Sequence, residues 1–393
     1  MLDHDLSILK PDYAGGSLVN LMRSLGDALG VPTNGYAPLR GLPAERLHAA
    51  ERVVLLVLDG LGDDLLEQLG PHSALRSLKA ATITSVYPPT TATAVTTLMS
   101  GLAPQQHGLT GWFMHFRKLG AVTAVLPFVP RYSRTPLSGA GVPLDAVVDC
   151  PSFCAGVDGA SVALLPAVIA DSDFSRAVGR GAQRVGYRDL EDFSAKLTAL
   201  ASGASDVRYV YAYWSDFDHL SHIHGPSSPQ VAAHFQALDA ALATLAETCA
   251  QHRTLLVATA DHGFLDSGPA ERIDLAAHPR MAELLSLPLC GEPRSTYCYV
   301  RHHDAARFED YVNHELAPYT HLVSSAALVA DGWFGHGEPH PELLARIGDY
   351  TLQMRERYTM RDLVTGERNM DLYGMHGGVT AAEQRVPLLL AGP

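Results

Sequence analysis

The sequence predicts an α/β fold: a mostly parallel central sheet with helices on both faces, plus a smaller inserted cap region. Three observations lead there. Short continuous apolar runs, such as Val53–Leu58 and Thr254–Ala260, read as strands buried on both faces. Pro229–Gln251 carries Val231, Phe235, Leu238, Leu242 and Leu245 at spacings of three and four, so it reads as an amphipathic helix. With Arg208–Trp214 before it and Thr254–Ala260 after it, that helix completes a βαβ unit, and such alternation implies a parallel sheet.

The elements follow in order. The first 50 residues, with Gly15-Gly16 and Pro32, form an irregular opening with one helix near Leu18–Leu29. Val53–Leu58 closes at Asp59-Gly60, and a helix begins over Asp63–Leu69. Thr82–Tyr87 is short and β-branched, hence a strand, and Pro88-Pro89 stops it. Ala92–Met99 then forms a helix with Gly101 as its cap. Residues 112–200 mix Pro and Gly with short apolar runs; Val122–Val129 and Ser161–Ile169 read as strands. That block is expected to be a cap beside the main sheet, and 264–370 a second insertion. Arg208–Trp214 is a Tyr-rich strand, Asp304–Ala317 a helix and Val386–Ala391 a late strand. There is no low-complexity linker and no repeat of the solenoid or propeller kind. One domain over 1–393 carrying both insertions is the expectation.

Composition narrows the class. The 393 residues are 47% apolar and 18% charged, which excludes a disordered chain and allows a large core. The net charge of −13 makes a poor binder of nucleic-acid polymers, which need clustered Lys and Arg. Five Cys (Cys150, Cys154, Cys249, Cys290, Cys298) at irregular spacing contain no C-x-x-C pair, so they read as free thiols in a reducing compartment. Met1-Leu2-Asp3-His4-Asp5 is acidic where a secretory leader is basic. Apolar runs fall far short of a membrane span. A soluble, cytoplasmic protein is expected.

The informative residues fall just after strand ends, the rim where open α/β sheets bind ligands. Asp59 follows one strand, Asp216 and Asp218 a second, and Asp261-His262 a third. One such Asp is as readily a turn or cap; three, with adjacent His, point to a site. In Asp218-His219-Leu220-Ser221-His222-Ile223-His224, a carboxylate and an imidazole four apart share one helix face. Spacing alone does not choose among Asp216, Asp218, His219, His222 and His224. Oxygen and nitrogen ligands without sulfur suit zinc or manganese. Asp261-His262-Gly263 sets two ligand types side by side, with a Gly that lets backbone approach a metal or ligand. His376 lies in Gly374-Met375-His376-Gly377-Gly378, which is equally a surface turn. Tyr87-Pro88-Pro89-Thr90-Thr91 puts a hydroxyl at a helix start. It is there as an N-cap or as a nucleophile beside N–H groups that hold phosphate.

In this order the motifs resemble the alkaline phosphatase superfamily, and within it the type I phosphodiesterase/nucleotide pyrophosphatase branch. They are Leu58-Asp59-Gly60, Pro89-Thr90-Thr91, Asp218 to His222, Asp261-His262-Gly263 and His376-Gly377, from about 50 to the C-terminus. In that family the nucleophile lies ten residues before the Gly of a Thr/Ser-Gly-Leu-x-Pro stretch. Counting back from Gly101 in Ser100-Gly101-Leu102-Ala103-Pro104 gives Thr91. The resemblance implies one metal held by Asp218, His222 and His376. It implies a second held by Asp59, Asp261, His262 and the Thr91 hydroxyl. Two divalent ions about 4 Å apart, zinc first and manganese second, would then clamp an in-line displacement through a phospho-threonine. The family Asn three residues after the nucleophile is Ala94 here, and the Gly before the motif His is Ser221. Cys150-Pro151-Ser152-Phe153-Cys154 does not fit the sulfatase Cys-x-Pro-x-Arg signature.

The implied function is metal-dependent hydrolysis of phosphodiester or nucleotide pyrophosphate bonds in a small phosphorylated substrate. A phosphomonoesterase or phosphonate hydrolase on the same scaffold is the alternative. From another class, a catalytically silent metal- or partner-binding member would be expected to have lost a ligand, and none is lost. Both insertions are expected to build the substrate pocket. Trp112, Phe113, His115 and Arg117 are candidate contacts by closeness to the nucleophile helix in sequence. An aromatic staple or a surface Arg is the preferred reading of each.

Overall fold

A computed structural model describes residues 4–32, 35–133, 135–203 and 206–393; Met1, Leu2 and Asp3 of the N-terminal reading lie outside them. Seven strands form the main sheet: β1 (Arg52–Leu58), β2 (Lys79–Thr84), β3 (Ala160–Pro166), β4 (Ala182–Tyr187), β5 (Val207–Trp214), β6 (Thr254–Thr259) and β7 (Arg385–Ala391). Their order is β2-β7-β6-β1-β5-β3-β4. β1 is buried at every position, as a strand apolar on both faces must be. It pairs in parallel with β5 on one edge and β6 on the other. Only β7 runs against its neighbours, antiparallel to β2 and β6.

Helices cover the sheet. α1 (Leu18–Leu29) packs on α2 (Thr91–Ser100), and Gly101 takes a left-handed φ of 74° to close α2, as its sequence position implied. α3 (Asp216–His224) follows β5. α4 (Pro229–Gln251) packs against β6 and β7, with its Val231, Phe235, Leu238, Leu242 and Leu245 stripe buried. The mostly parallel α/β architecture expected from the sequence is therefore the one found.

A second, antiparallel sheet is assembled from two distant segments. Phe113–Phe116, Ala121–Ala124 and Val129–Pro130 come from one; Cys290–Gly291, Ser295–Cys298, Thr320–Ser324 and Tyr350–Met354 come from the other. The expected cap over 112–200 therefore needs correction. Its 113–130 part joins the second sheet, whereas β3 and β4 extend the main one. Ala160–Pro166 is the strand expected over Ser161–Ile169, but it belongs to the main sheet rather than to a cap. Val122–Val129 is not one strand, because the chain turns at Phe128 with φ 52°. β2 starts at Lys79 and ends at Thr84 rather than Tyr87. Asp304–Ala317 is an α-helix only over Ala305–Tyr311, with a π-helical turn over Val312–Leu316.

Parallel strands bring their carboxyl ends to one rim. Asp59 leaves β1, α3 leaves β5, Asp261 leaves β6, and the loop after β2 leads to Thr91. Because β7 is reversed, the segment entering it, with His376, reaches the same rim. Leu56, fully buried in β1, is a place to test this frame. Leu56→Ala should cost about 2–5 kcal/mol in denaturant unfolding, from lost burial plus a cavity. Val168→Ala, at a side chain 91% exposed, should cost almost nothing.

Candidate active site

Six side chains from four rim segments form two adjoining clusters. Asp218, His222 and His376 make one, and Asp59, Asp261 and His262 the other; in each, one ligand atom per residue lies within 4.8 Å of the others. Asp218 and His222 meet because they are one helical turn apart on α3, with His222 Nε2 3.5 Å from Asp218 Oδ1. The same Asp218 oxygen is 3.7 Å from His376 Nε2 and 3.9 Å from His262 Nε2, which joins the clusters. The His262 and His376 rings stack with centroids 3.6 Å apart.

The three imidazoles are oriented alike. Nδ1 of His222, His262 and His376 faces the carbonyl of Gly374, Gly263 and Pro89 at 2.8, 3.1 and 3.2 Å. A carbonyl only accepts, so Nδ1 carries the proton and each Nε2 turns its lone pair toward the carboxylates. This is the outer support that metal-binding histidines use. Asp261 Oδ1 accepts from the N–H groups of Gly60 and His262, both at 3.0 Å. Asp261 Oδ2 and Asp218 Oδ1 are buried without a hydrogen-bond partner. Buried acceptors of this kind, facing lone pairs of neutral imidazoles, fit divalent cations.

The electrostatics agree. Burial is the first cause that pushes the Asp59 carboxyl up to about 6 and Asp261 up to about 8. Burial also raises Asp218 well above the usual range, with the Asp59, Asp261 and Glu292 charges adding to it. Burial holds His222 down to about 4 and depresses His262 and His376, keeping all three in the neutral form that ligates.

Thr91 is the first residue of α2. Its Oγ1 lies 3.3 Å from His262 Nε2 and 3.5 Å from Asp59 Oδ1. Thr90 occupies the cap position, but its hydroxyl donates to Glu292 Oε1 at 2.8 Å instead of capping the helix. The nucleophile and cap readings thus fall on different threonines, and neither side chain caps. Asp216, His219 and His224 are exposed and stay out of the clusters. Gly263 has a packing reason: a Cβ there would meet the Ala382 carbonyl oxygen at 2.0 Å. Ala94 is fully buried within α2 and belongs to the main apolar core.

A cavity of about 600 Å³ opens beside Thr91; Trp112, Phe113, Glu292, Met360 and Met375 are among its lining residues. Beyond Thr90, Thr91, Asp218 and His222, its walls come from 112–131 and 289–376, so both insertions contribute, and no described residue of 132–200 lines it. Among the four candidate contacts, Trp112 and Phe113 line it. His115 instead packs edge-on against Tyr299, and Arg117 pairs with Glu342 at 3.0 Å. Two residues at the site carried no sequence signal. Tyr213, next to last in the Tyr-rich β5, donates its hydroxyl to Asp59 Oδ2. Glu292 lies in a short turn about 200 residues from Thr90.

These shifts predict a pH response. Asp261 and Asp218 hold protons in the folded protein that the unfolded chain has already lost, so their contribution to stability falls as pH rises. The histidines act in the opposite sense, but only up to their ordinary value of 6.5. Between about pH 6.5 and about pH 8, the melting temperature of chelator-treated protein should fall. Added zinc should abolish that fall, as thermal melts with and without the ion will show.

No curated protein matches the chain at a significant level. Among solved structures, murine ectonucleotide pyrophosphatase/phosphodiesterase 5 is 17% identical with a TM-score of 0.65, over 87% of this chain and 88% of that one. Phosphonoacetate hydrolase from Sinorhizobium meliloti 1021, in complex with phosphonoformate, is 17% identical with a TM-score of 0.62, over 92% of each chain. At these identities the likeness establishes a shared fold. Residues 53–378 match the family model of type I phosphodiesterase/nucleotide pyrophosphatase. That span is most of the chain and contains every cluster residue and Thr91. The chain belongs to the type I phosphodiesterase/nucleotide pyrophosphatase family of the alkaline phosphatase superfamily.

Proposed function

We propose that this protein hydrolyses phosphodiester or nucleotide pyrophosphate bonds of a small substrate through a phospho-threonine on Thr91. The observation that carries this is the position of Thr91 Oγ1, within 3.5 Å of both Asp59 Oδ1 and His262 Nε2 and at the mouth of the cavity. Asp218, His222 and His376 would hold one divalent cation. Asp59, Asp261 and His262, with the Thr91 hydroxyl, would hold the other. The donor set of carboxylate oxygen and imidazole nitrogen suits zinc, with manganese the second choice. When bound, such ions supply positive charge that lowers the hydroxyl pKa and neutralises phosphoryl oxygens.

The chain's own residues do the rest. Thr91 Oγ1 attacks phosphorus; the Oγ1–P bond forms as the bond to the leaving oxygen breaks. Water then attacks the phospho-threonine, releasing the phosphoryl product and restoring the hydroxyl. Tyr213 holds Asp59 in place through its hydroxyl, and the three backbone carbonyls fix the imidazoles. Small phosphoryl substrates are supported by the murine relative's complex with AMP and by the phosphonoformate complex of phosphonoacetate hydrolase. Phosphonate hydrolysis is the second reading, favoured by the longer structural match, 92% of each chain. A cytoplasmic location belongs to this proposal, supported by five buried, unpaired cysteines.

Zinc-loaded protein should turn over bis-nitrophenyl phosphate. Thr91→Ala should lower that rate by about a thousandfold or more with metal content unchanged. Equal rates in the two proteins would remove Thr91 from the reaction. Turnover of phosphonoacetate in preference to the diester would select the second reading.

A further inference from the structure

Glu292 is a buried carboxylate that neither cluster uses. It is 7% exposed and lines the cavity together with Thr91, Asp218, His222 and His376. Its Oε1 accepts from the Thr90 hydroxyl at 2.8 Å and from the Trp112 N–H at 2.6 Å. It therefore touches the residue before the nucleophile on one side. On the other it abuts Gly377, the residue after His376. A Cβ on Gly377 would lie 3.0 Å from both Cβ and Cγ of Glu292, so the Gly makes room for this carboxylate.

Nearby cations do not neutralise it. Of the arginines at the cavity, Arg131 pairs with Glu367 at 2.8 Å and Arg361 with Asp274 at 2.5 Å. Arg368 is exposed. Burial is the first cause that pushes the Glu292 carboxyl up to about 7, against the two hydrogen bonds at Oε1, so it carries its charge at alkaline pH. Its field falls where a phosphoryl group must sit to meet Thr91.

We propose that Glu292 is a specificity-determining residue, whose negative charge in the wall of the Thr91 cavity disfavours doubly charged phosphoryl groups and so selects diesters over monoesters. This rests on the reading of Thr91 as the nucleophile. A diester phosphorus carries one negative charge, and a monoester or free phosphate carries two at alkaline pH. Two like charges a few Å apart in partly buried surroundings change such a preference by about tenfold or more.

Glu292→Gln tests this, since it keeps the carbonyl to which Thr90 and Trp112 donate and removes the charge. Zinc-loaded wild-type and variant proteins are compared at alkaline pH in two ways. Calorimetry with inorganic phosphate should give about tenfold or more tighter binding to the variant. The kcat/KM ratio of nitrophenyl phosphate to methyl nitrophenyl phosphate should rise by a similar factor. Glu292→Asp, which keeps the charge, should keep the wild-type values within about threefold. Glu292→Ala replaces the Gln variant if the latter does not fold. Unchanged phosphate affinity in the uncharged variant overturns the proposal. So does an equal fall in both ester rates, which would mean that Glu292 only positions Thr90. Failure of the nucleophile reading looks different: wild-type protein then shows no Thr91-dependent turnover, and the phosphate titration still decides the role of the charge.

Discussion

The structure depends on a concentration of buried and half-buried carboxylates at one rim of the sheet. Asp59 and Asp261 are 2% and 0% exposed, and Asp218 adjoins them through His262. Burying charge of one sign is unfavourable unless a counter-charge is present. No Lys or Arg pairs with these three among the described residues. Protons take up part of the burden, which is why burial raises all three carboxyls and why His222, His262 and His376 stay neutral. Such a rim is matched in donor chemistry to divalent cations. The sheet order, the carbonyls behind the imidazoles and the tyrosine behind Asp59 all hold that one arrangement.

The frame is stiff where the site needs it. β1, β5 and β6 are adjacent parallel strands, so three of the four segments are fixed by one hydrogen-bonded ladder. The fourth, carrying His376, is fixed by a buried ion pair. Arg294 and Glu383 are both fully buried and joined at 2.6 and 2.9 Å, and Glu383 Oε1 also accepts from the Gly378 N–H at 2.7 Å. Arg294 belongs to the turn that carries Glu292 and leads into the second sheet. One short turn therefore ties the cavity wall to the His376 segment. Breaking such a pair strands a buried charge, so it is costly to remove even where its net contribution is small.

Much of this was legible in the sequence, for a definite reason. A strand buried on both faces is a continuous apolar run, and a parallel sheet puts ligand groups directly after such runs. Asp59, Asp261 and His262 were visible on that pattern alone. Thr91, Asp218, His222 and His376 needed the family resemblance to be singled out from Thr90, Asp216, His219, His224 and a plain turn, and the geometry groups the same seven. Illegible features were those set by long-range assembly. The second sheet pairs Phe113 with Gly291, and no local periodicity announces a pairing across so many residues. Glu292 is an ordinary Glu in a turn until the fold brings it to Thr90. β3 and β4 were mistaken for cap because their apolar runs are short and flanked by Pro and Gly.

On the proposed reading each cluster holds one cation. Elemental analysis of zinc-saturated, desalted protein tests it most directly, on the wild type and on Asp218→Ala with His222→Ala. Two zinc ions per chain are expected in the wild type and one in the double variant, with the Asp59, Asp261 and His262 cluster still loaded. One ion or none in the wild type, or two in the double variant, would contradict it.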